Sequence, residues 1–367
     1  MFLTASNLVH YLIARGTLSA ASVVDGDFIV AEAGRRNRNF KVLRNQGPGL
    51  FVKQINAPDA MAISTLQREA ACYKLAQQNT DYRNLAELMP RFIDHDPARH
   101  IIMVELLSSG ENLSEYHTRQ RRFPPEVGKL LGEGLGRCHQ TLRGKTLSQE
   151  DLANFPRQPP WILSFHNAYT QMPTLSGGAI QLAQIISKYP DLHYNMERIR
   201  QHWAYDSIIH GDMKWDNCIL CAEADGNNVI RIIDWELVDY GDACWDVGSI
   251  LQAYLTYWIF SMPFATETNP ERLVAGAAYR LESMFPAIRA FWQSYRAASG
   301  LSANAYPYLL RCIEYGAARM VQTTFEWLFH IPGINNQCAM LLQVAMNILR
   351  NPQEAATSLY GLTEGVA

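Results

Sequence analysis

A basic surplus is missing from this sequence. Its 32 lysines and arginines stand against 35 aspartates and glutamates, for a net charge of −3. Proteins that live on nucleic acid usually carry positive excess, so DNA and RNA drop out as expected partners. Cysteine is sparse: seven residues at irregular spacing build no disulfide framework. The one close pair, Cys218 and Cys221, has no second pair to complete a metal site. Its flanks read as strand, where positions i and i+3 face opposite sides, so both are expected to be structural. No apolar run approaches the roughly 20 residues of a membrane span. The first twenty residues have no basic leader, and Asn7, His10 and Arg15 break their apolar stretch. Internal repeats and low-complexity segments are absent as well. The expectation is a cytoplasmic protein with no membrane partner.

What is present is an ordinary globular balance, 48% hydrophobic and 18% charged, over 367 residues, enough for two lobes. Residues 5–15 predict a short amphipathic helix stopped by Gly16. Phe28–Val30, Phe40–Leu43 and Leu50–Lys53 predict three antiparallel strands, with a turn at Asn45–Gly49. A helix is expected over Ser64–Gln78, with Ser64 and Gln67 as a capping box. Leu66, Glu69, Tyr73 and Ala76 share one face of it, so the charged Glu69 points inward and calls for a partner. Ile101–Val104 is a further strand. From Pro124 the chain turns helical, and Gln184–Trp203 reads as helical. A hairpin interrupts at 218–233 around the turn Asp225-Gly226-Asn227.

The chemistry sits in and around that hairpin. Ile208-Ile209 delivers the chain to His210-Gly211-Asp212, and Asn217 follows five residues after the aspartate. Ile232-Ile233-Asp234-Trp235-Glu236 then ends a hydrophobic strand on another carboxylate. Gly241-Asp242-Ala243-Cys244-Trp245-Asp246 places Asp246 near the start of a buried helix, where it can accept N–H bonds from the Asp212 loop. Phosphoryl transfer needs this kind of set: a carboxylate for the hydroxyl proton, and hard oxygen ligands for Mg²⁺. His210, Trp235 and Trp245 read as packed residues.

H-G-D-x-x-x-x-N, I-D-W-E and G-D-x-x-W-D, in this order and spacing, resemble the aminoglycoside phosphotransferase and choline kinase-like family, from about Phe28 to beyond residue 330. The resemblance implies a protein-kinase-like α+β fold: an N-lobe over 1–107, with a small antiparallel sheet and one key helix, and a mainly helical C-lobe over 108–367. It implies Asp212 as catalytic base, Asn217 and Asp234 as Mg²⁺ ligands, and His210 and Asp246 as supports of the loop. Lys53 is similar to the lysine that pairs the ATP phosphates, with Glu69 to orient it; Glu105 and Leu107 are similar to the hinge that meets adenine. Two departures stand out. The loop Ala33–Asn39, where the resemblance implies that Gly34, Arg36 and Asn39 meet the cofactor, has one glycine and three arginines and lacks G-x-G-x-x-G. Its arginines suit phosphate or an acidic acceptor. Lys214 stands where many antibiotic kinases have histidine, and can touch the transferred phosphoryl group.

The implied activity is ATP-dependent transfer to a hydroxyl on a small molecule or a peptide. The acceptor would sit against 147–206 and about 265–350. Glu314, Glu326, Asp191 and Glu197 make no dense acidic wall of the kind a polycationic antibiotic attracts. Arg36–Phe40, Gly49–Gln54 and Pro159–Ser164 resemble phosphotransferase-like proteins of thioamitide and class V lanthipeptide pathways. That likeness implies a kinase of peptide Ser or Thr working ahead of a partner lyase. The third reading is a nucleotide-binding pseudokinase scaffold; the presence of Lys53, Glu69, Asp212, Asn217 and Asp234 speaks for activity.

Overall fold

The computed structural model describes residues 2–365 except 35–36, 58, 143–146, 166–175, 224, 302–304 and 330. The chain divides into two compact units. The first comprises Met1–Asn112, Gln149–Asn154 and Asn217–Val238; the second comprises Leu113–Ser148, Phe155–Asp216 and Asp239–Ala367.

The first unit is built on a five-stranded antiparallel sheet. Its strands are β1 (Phe28–Glu32), β2 (Arg38–Arg44), β3 (Gly49–Gln54), β4 (Phe92–Asp96) and β5 (Ile101–Leu106), in the order β1-β2-β3-β5-β4. Helix α1 (Ala5–Ala14), ended before Gly16 at φ 70°, packs on one face. Leu3, Leu8, Tyr11 and Leu12 meet Phe40, Val42, Val52 and Met103 there in one buried cluster. Strand β4, Phe-Ile-Asp-His-Asp, was not expected, because acids at its second half hide the apolar alternation. Asp96 is buried there because Tyr11 and Arg99 hydrogen-bond to its carboxylate. A second sheet joins β6 (Glu111–Asn112) to the hairpin β8 (Cys218–Ala222) and β9 (Asn228–Ile232), with Gly226 at φ 84° in the turn. Cys218 and Cys221 are both buried, and neither forms a disulfide among the described residues.

Helix α2 runs over Ala60–Gln78 and starts four residues before the expected Ser64. Asp59 caps it, its Oδ1 accepting from the Ala62 N–H at 2.8 Å. Ser64 therefore lies a full turn inside, and the Ser64–Gln67 capping box does not form. An aspartate one residue before Ala60 is the stronger cap signal, since its ionised oxygen also suits the helix N-terminus. The inward face is as expected, with Leu66, Glu69, Tyr73 and Ala76 all buried.

The second unit is mainly helical, with β7 (Ser207–Ile209) and β10 (Asp239–Gly241) paired as a short antiparallel ribbon. Helix α3 (Pro125–Leu142) lies along the later helix Phe285–Ala298 with Gly132 at the crossing, where a Cβ would come 2.2 Å from the Phe291 carbonyl oxygen. The helical stretch expected over Gln184–Trp203 is helical, in two pieces: α4 (Gly177–Lys188) and α5 (Pro190–Gln201). Pro190 breaks it by removing a donor N–H and opens α5 at its first turn. Helix α6 (Ala243–Phe260) and helix α7 (Tyr306–Leu328) form the core. They approach backbone to backbone at Gly248 and Gly316: a Cβ on Gly316 would lie 2.8 Å from the Gly248 carbonyl oxygen. Among the described residues no helix is long and apolar enough to cross a membrane.

Candidate active site

In the first unit, strand alternation turns Lys53 of β3 into the interior, where it is 6% exposed. Its ammonium contacts three carboxylates: Glu69 at 2.9 Å, Asp234 at 2.8 Å and Glu236 at 3.1 Å. The ammonium has three N–H groups and gives one to each. Burial pulls the Lys53 pKa down, but Glu69, Asp234 and Glu236 outweigh it and hold it well above the usual lysine value. Burial raises Glu69 to about 7, with Lys53 pulling the other way.

Asp234 adopts the left-handed conformation, φ 64° and ψ 57°, directly after β9. That conformation costs an L-residue about 1–2 kcal/mol, and aspartate is among the few that adopt it. At the same end of the hairpin, Asn217 precedes β8, whose Cys218 pairs with Ile232. The Ile233 N–H donates to the Asn217 carbonyl at 3.0 Å. One hairpin end thus carries an amide and a carboxylate, both hard oxygen donors. The Lys53 cluster has one positive and three negative side chains, a surplus a divalent cation would offset, so the donor chemistry fits Mg²⁺. No group of three or more His, Cys, Asp or Glu that could hold a metal by itself occurs among the described residues. A metal here would need further oxygens, as Mg²⁺ normally takes from phosphates and water.

Asn39 lies opposite Lys53 in the β2–β3 register, so the two side chains share a face. Its Oδ1 is buried without a hydrogen-bond partner. The Ala33 N–H donates to the Asn39 carbonyl at 2.8 Å, which closes the loop containing Gly34. Arg35 and Arg36 lie outside the described residues. Arg38 is held by its neighbours: its guanidinium bonds to Asn56 Oδ1 and the Leu3 carbonyl and lies over the Phe2 ring. Glu105 lies opposite Leu50 one residue before the end of β5, and the Leu107 carbonyl accepts from Gly110. Both line a cavity of about 550 Å³ whose walls also include Gly47, Met89, Arg91 and Arg231. Lys53, Glu69 and Asp234 are not among the residues that line it.

In the second unit, Asp246 of α6 receives the N–H groups of His210 at 2.6 Å and Gly211 at 3.1 Å. Trp245 Nε1–H donates to the Gly211 carbonyl at 3.0 Å. His210 is 1% exposed, and its Nδ1 accepts from the Asp212 N–H at 3.2 Å. The loop is thereby fastened residue by residue, with Gly211 at φ 82° making the bend. Asp212 emerges with both oxygens engaged: Oδ2 with Lys214 Nζ at 2.6 Å, Oδ1 with Arg319 Nη2 at 3.0 Å. Burial pushes the Asp212 carboxyl up, but Arg319 and then Lys214 outweigh it and hold it below the usual range. Lys214 is raised: burial opposes its charge and Asp212 favours it more strongly.

A cavity of about 450 Å³ opens beside this pair, lined by Lys214, Arg319, Glu326, Tyr257, Tyr279 and Trp327 among others. Arg319 and Glu236 are the contacts that motif reading did not assign. Glu236 was part of I-D-W-E without a role. Arg319 lies inside Gly316-Ala317-Ala318-Arg319-Met320-Val321, and a charge in so apolar a helical stretch is the signal that could have found it. The acids considered for an acceptor wall are each held by an arginine: Glu314 by Arg198, Glu326 by Arg319, Asp191 by Arg350 and Glu197 by Arg200.

The model of the phosphotransferase enzyme family, APH, matches residues 27–291. The chain belongs to this family and is a phosphotransferase enzyme. Its fold is the bilobal, protein-kinase-like α+β fold of several solved relatives. It is similar to a choline kinase of Cryptosporidium parvum at 12% identity and TM-score 0.56, covering 96% of each chain. It is similar to an ethanolamine kinase of Plasmodium vivax at 11% identity and TM-score 0.54, covering 91% of this chain and 86% of that one. Aminoglycoside 2'-phosphotransferase-IIIa, solved with GDP, aligns at 13% identity and TM-score 0.52, over 95% of this chain and 100% of its own. No curated protein matches the chain.

Proposed function

We propose that this phosphotransferase moves the γ-phosphate of ATP directly to an acceptor hydroxyl. The observation that carries the reading is the buried Lys53 ammonium, shared by Glu69, Asp234 and Glu236. A lysine so held is oriented and permanently charged, which suits it to a polyphosphate. Asn217 and Asp234 would hold Mg²⁺, which when bound supplies charge neutralisation at the phosphates. Gly34, Arg36 and Asn39 are the proposed loop contacts, and Glu105 and Leu107 the proposed adenine contacts. Asp212 acts as the base: it is ionised, buried and fastened through its own backbone to His210. It orients the acceptor and takes its proton at Oδ2, while Lys214 stands ready beside the transferred group. No covalent enzyme intermediate is needed.

The acceptor is a hydroxyl compound housed in the cavity beside Asp212. The solved relatives are named for choline, ethanolamine and aminoglycosides, which makes a small-molecule alcohol the first class to test. The arginine-paired acids give a polycation no free acidic wall, so a less charged alcohol or a peptide Ser or Thr fits better. The experiment is transfer of labelled γ-phosphate from ATP to a panel of alcohols and Ser/Thr peptides, with and without Mg²⁺, next to calorimetry of ATP. Asp212→Ala should lower transfer about 10²–10⁴-fold and leave ATP affinity nearly intact. Normal turnover by Asp212→Ala overturns the assignment. Mg²⁺-dependent ATP binding without transfer to any acceptor moves the reading to a scaffold.

A further inference from the structure

Arg319 is a residue whose charge needs an explanation. It is 1% exposed in a helical stretch otherwise made of Gly316, Ala317, Ala318, Met320 and Val321, all buried. A guanidinium cannot give up its proton in a protein, so a buried one persists only when paired. Its Nη1 bonds to Thr323 Oγ1 at 2.9 Å and lies 3.2 Å from Glu326 Oε1, both on its own helix. Those contacts lock the side chain along α7. Nη2 donates to Glu326 Oε2 at 3.3 Å and, at 3.0 Å, to Asp212 Oδ1, 107 residues back in the chain.

The two cations on Asp212 differ in freedom. The Lys214 side chain is 37% exposed and that of Arg319 is 2% exposed. Lys214 sits two residues along the same loop on a flexible stem. Arg319 is held by three side chains and by the Gly248–Gly316 contact that fixes the height of α7 against α6. An acceptor can displace the first and not the second.

We propose that Arg319 is a positioning residue for phosphoryl transfer. Its guanidinium pins Asp212 by Oδ1, which leaves Oδ2, covered by Lys214 in the resting enzyme, as the oxygen that meets the acceptor. The proposal rests on the reading of Asp212 as base. The acceptor O–H proton passes to Oδ2 as the acceptor oxygen bonds to the γ-phosphorus. The bond from that phosphorus to the β–γ bridging oxygen breaks, and ADP leaves with the electron pair. Lys214 moves off Oδ2 when the hydroxyl arrives. Water, lacking the body to fill the cavity, displaces it poorly, so wasteful ATP hydrolysis is kept low.

The test uses the full chain, and its titrations need no acceptor. The Asp212 carboxyl carbon is followed by NMR in ¹³C-Asp protein and assigned by its loss in Asp212→Asn. It is titrated in wild type, Arg319→Met and Arg319→Lys. The expected result is a titration midpoint displaced to higher pH in Arg319→Met and partly restored in Arg319→Lys, with MgATP affinity changed less than about threefold. A midpoint unmoved in folded Arg319→Met overturns the proposal. If Arg319→Met does not fold, the converse is read: the side-chain ¹⁵N resonances of Arg319, assigned with Arg319→Lys, are compared between wild type and Asp212→Asn. Displacement supports the contact, and coincidence overturns it. Should Asp212→Asn transfer phosphate at the wild-type rate while the midpoint still moves in Arg319→Met, the base reading fails and the contact stands.

Discussion

Two clusters of buried charge, one in each unit, solve the same problem with different balance. Around Lys53 one cation meets three carboxylates. Around Asp212 two cations, Lys214 and Arg319, meet Asp212 and Glu326. The first cluster keeps a negative surplus and the second is balanced. A surplus of oxygen anions suits a place where a cation and phosphates are handled, since added positive charge lowers its energy. A balanced cluster with one exposed cation suits a neutral hydroxyl, which must lose a proton without meeting a strong field of either sign. The difference also predicts how each responds when it is perturbed.

The largest effect on stability is expected at Lys53. Lys53→Met leaves Glu69 buried with Asp234 and Glu236 near it and no cation between them. Breaking a buried pair by removing one partner costs about 3–5 kcal/mol. Denaturant unfolding should show that loss, and Glu69→Gln added to Lys53→Met should recover part of it. If Lys53→Met were as stable as wild type, the first cluster would not be under the charge strain the comparison assigns to it.

The next effect separates the clusters by pH. Glu69 has a folded pKa raised by burial to about 7, so its contribution is fully present below the unfolded value and is lost as pH rises through 7. Asp212 is depressed: burial opposes this, but Arg319 and Lys214 prevail. Its contribution is present above the unfolded value and lost as pH falls through the folded one. Thermal unfolding followed from acid to pH 8 should show Glu69→Gln losing less stability than wild type between pH 5 and 8. Asp212→Asn should lose less than wild type on the acid side. Parallel curves for all three proteins would break the comparison.

How far each cluster was legible follows from local pattern. Glu69 announced itself as a charge on an apolar helix face, and Lys53 as the polar end of a hydrophobic strand. The same test applied to Arg319 within Gly316–Val321 finds the missing member of the second cluster. The motif spacing covered Asp212, Asn217, Asp234 and Asp246, and the hairpin around Gly226 accounts for two of them arriving together. Spacing says nothing of the left-handed backbone at Asp234, which is a tertiary demand on a single residue. Nor could it place Glu236 on Lys53, because two chain segments 183 residues apart decide that contact. The break at Pro190 and the earlier start of α2 follow from the rules for proline and for aspartate at helix ends, which act on single residues.

The supports of the two clusters can be compared by substitutions that touch neither charge. Gly316→Val puts a branched side chain where a Cβ alone would lie 2.8 Å from the Gly248 carbonyl oxygen. Overpacking of this kind costs about 1–3 kcal/mol and should push α7 and Arg319 outward. It is therefore expected to move the Asp212 titration midpoint upward as well as to lower Tm, whereas Lys53 chemistry, read as MgATP affinity, stays nearly constant.

The smallest effect is on the other side, at the cap of the helix that carries Glu69. Asp59 Oδ1 satisfies the Ala62 N–H at 2.8 Å at the exposed start of α2. Asp59→Ala should cost about 1 kcal/mol, and Asp59→Asn only a fraction of it, since asparagine caps nearly as well. Glu69 lies more than two turns further along, so the loss belongs to the helix end and leaves the ion pair in place. MgATP affinity should then be unchanged while Tm falls slightly. A large fall in affinity would mean that the Lys53–Glu69 contact depends on how α2 begins, and that the first cluster is held less rigidly than Asp212 is by Asp246 and Arg319.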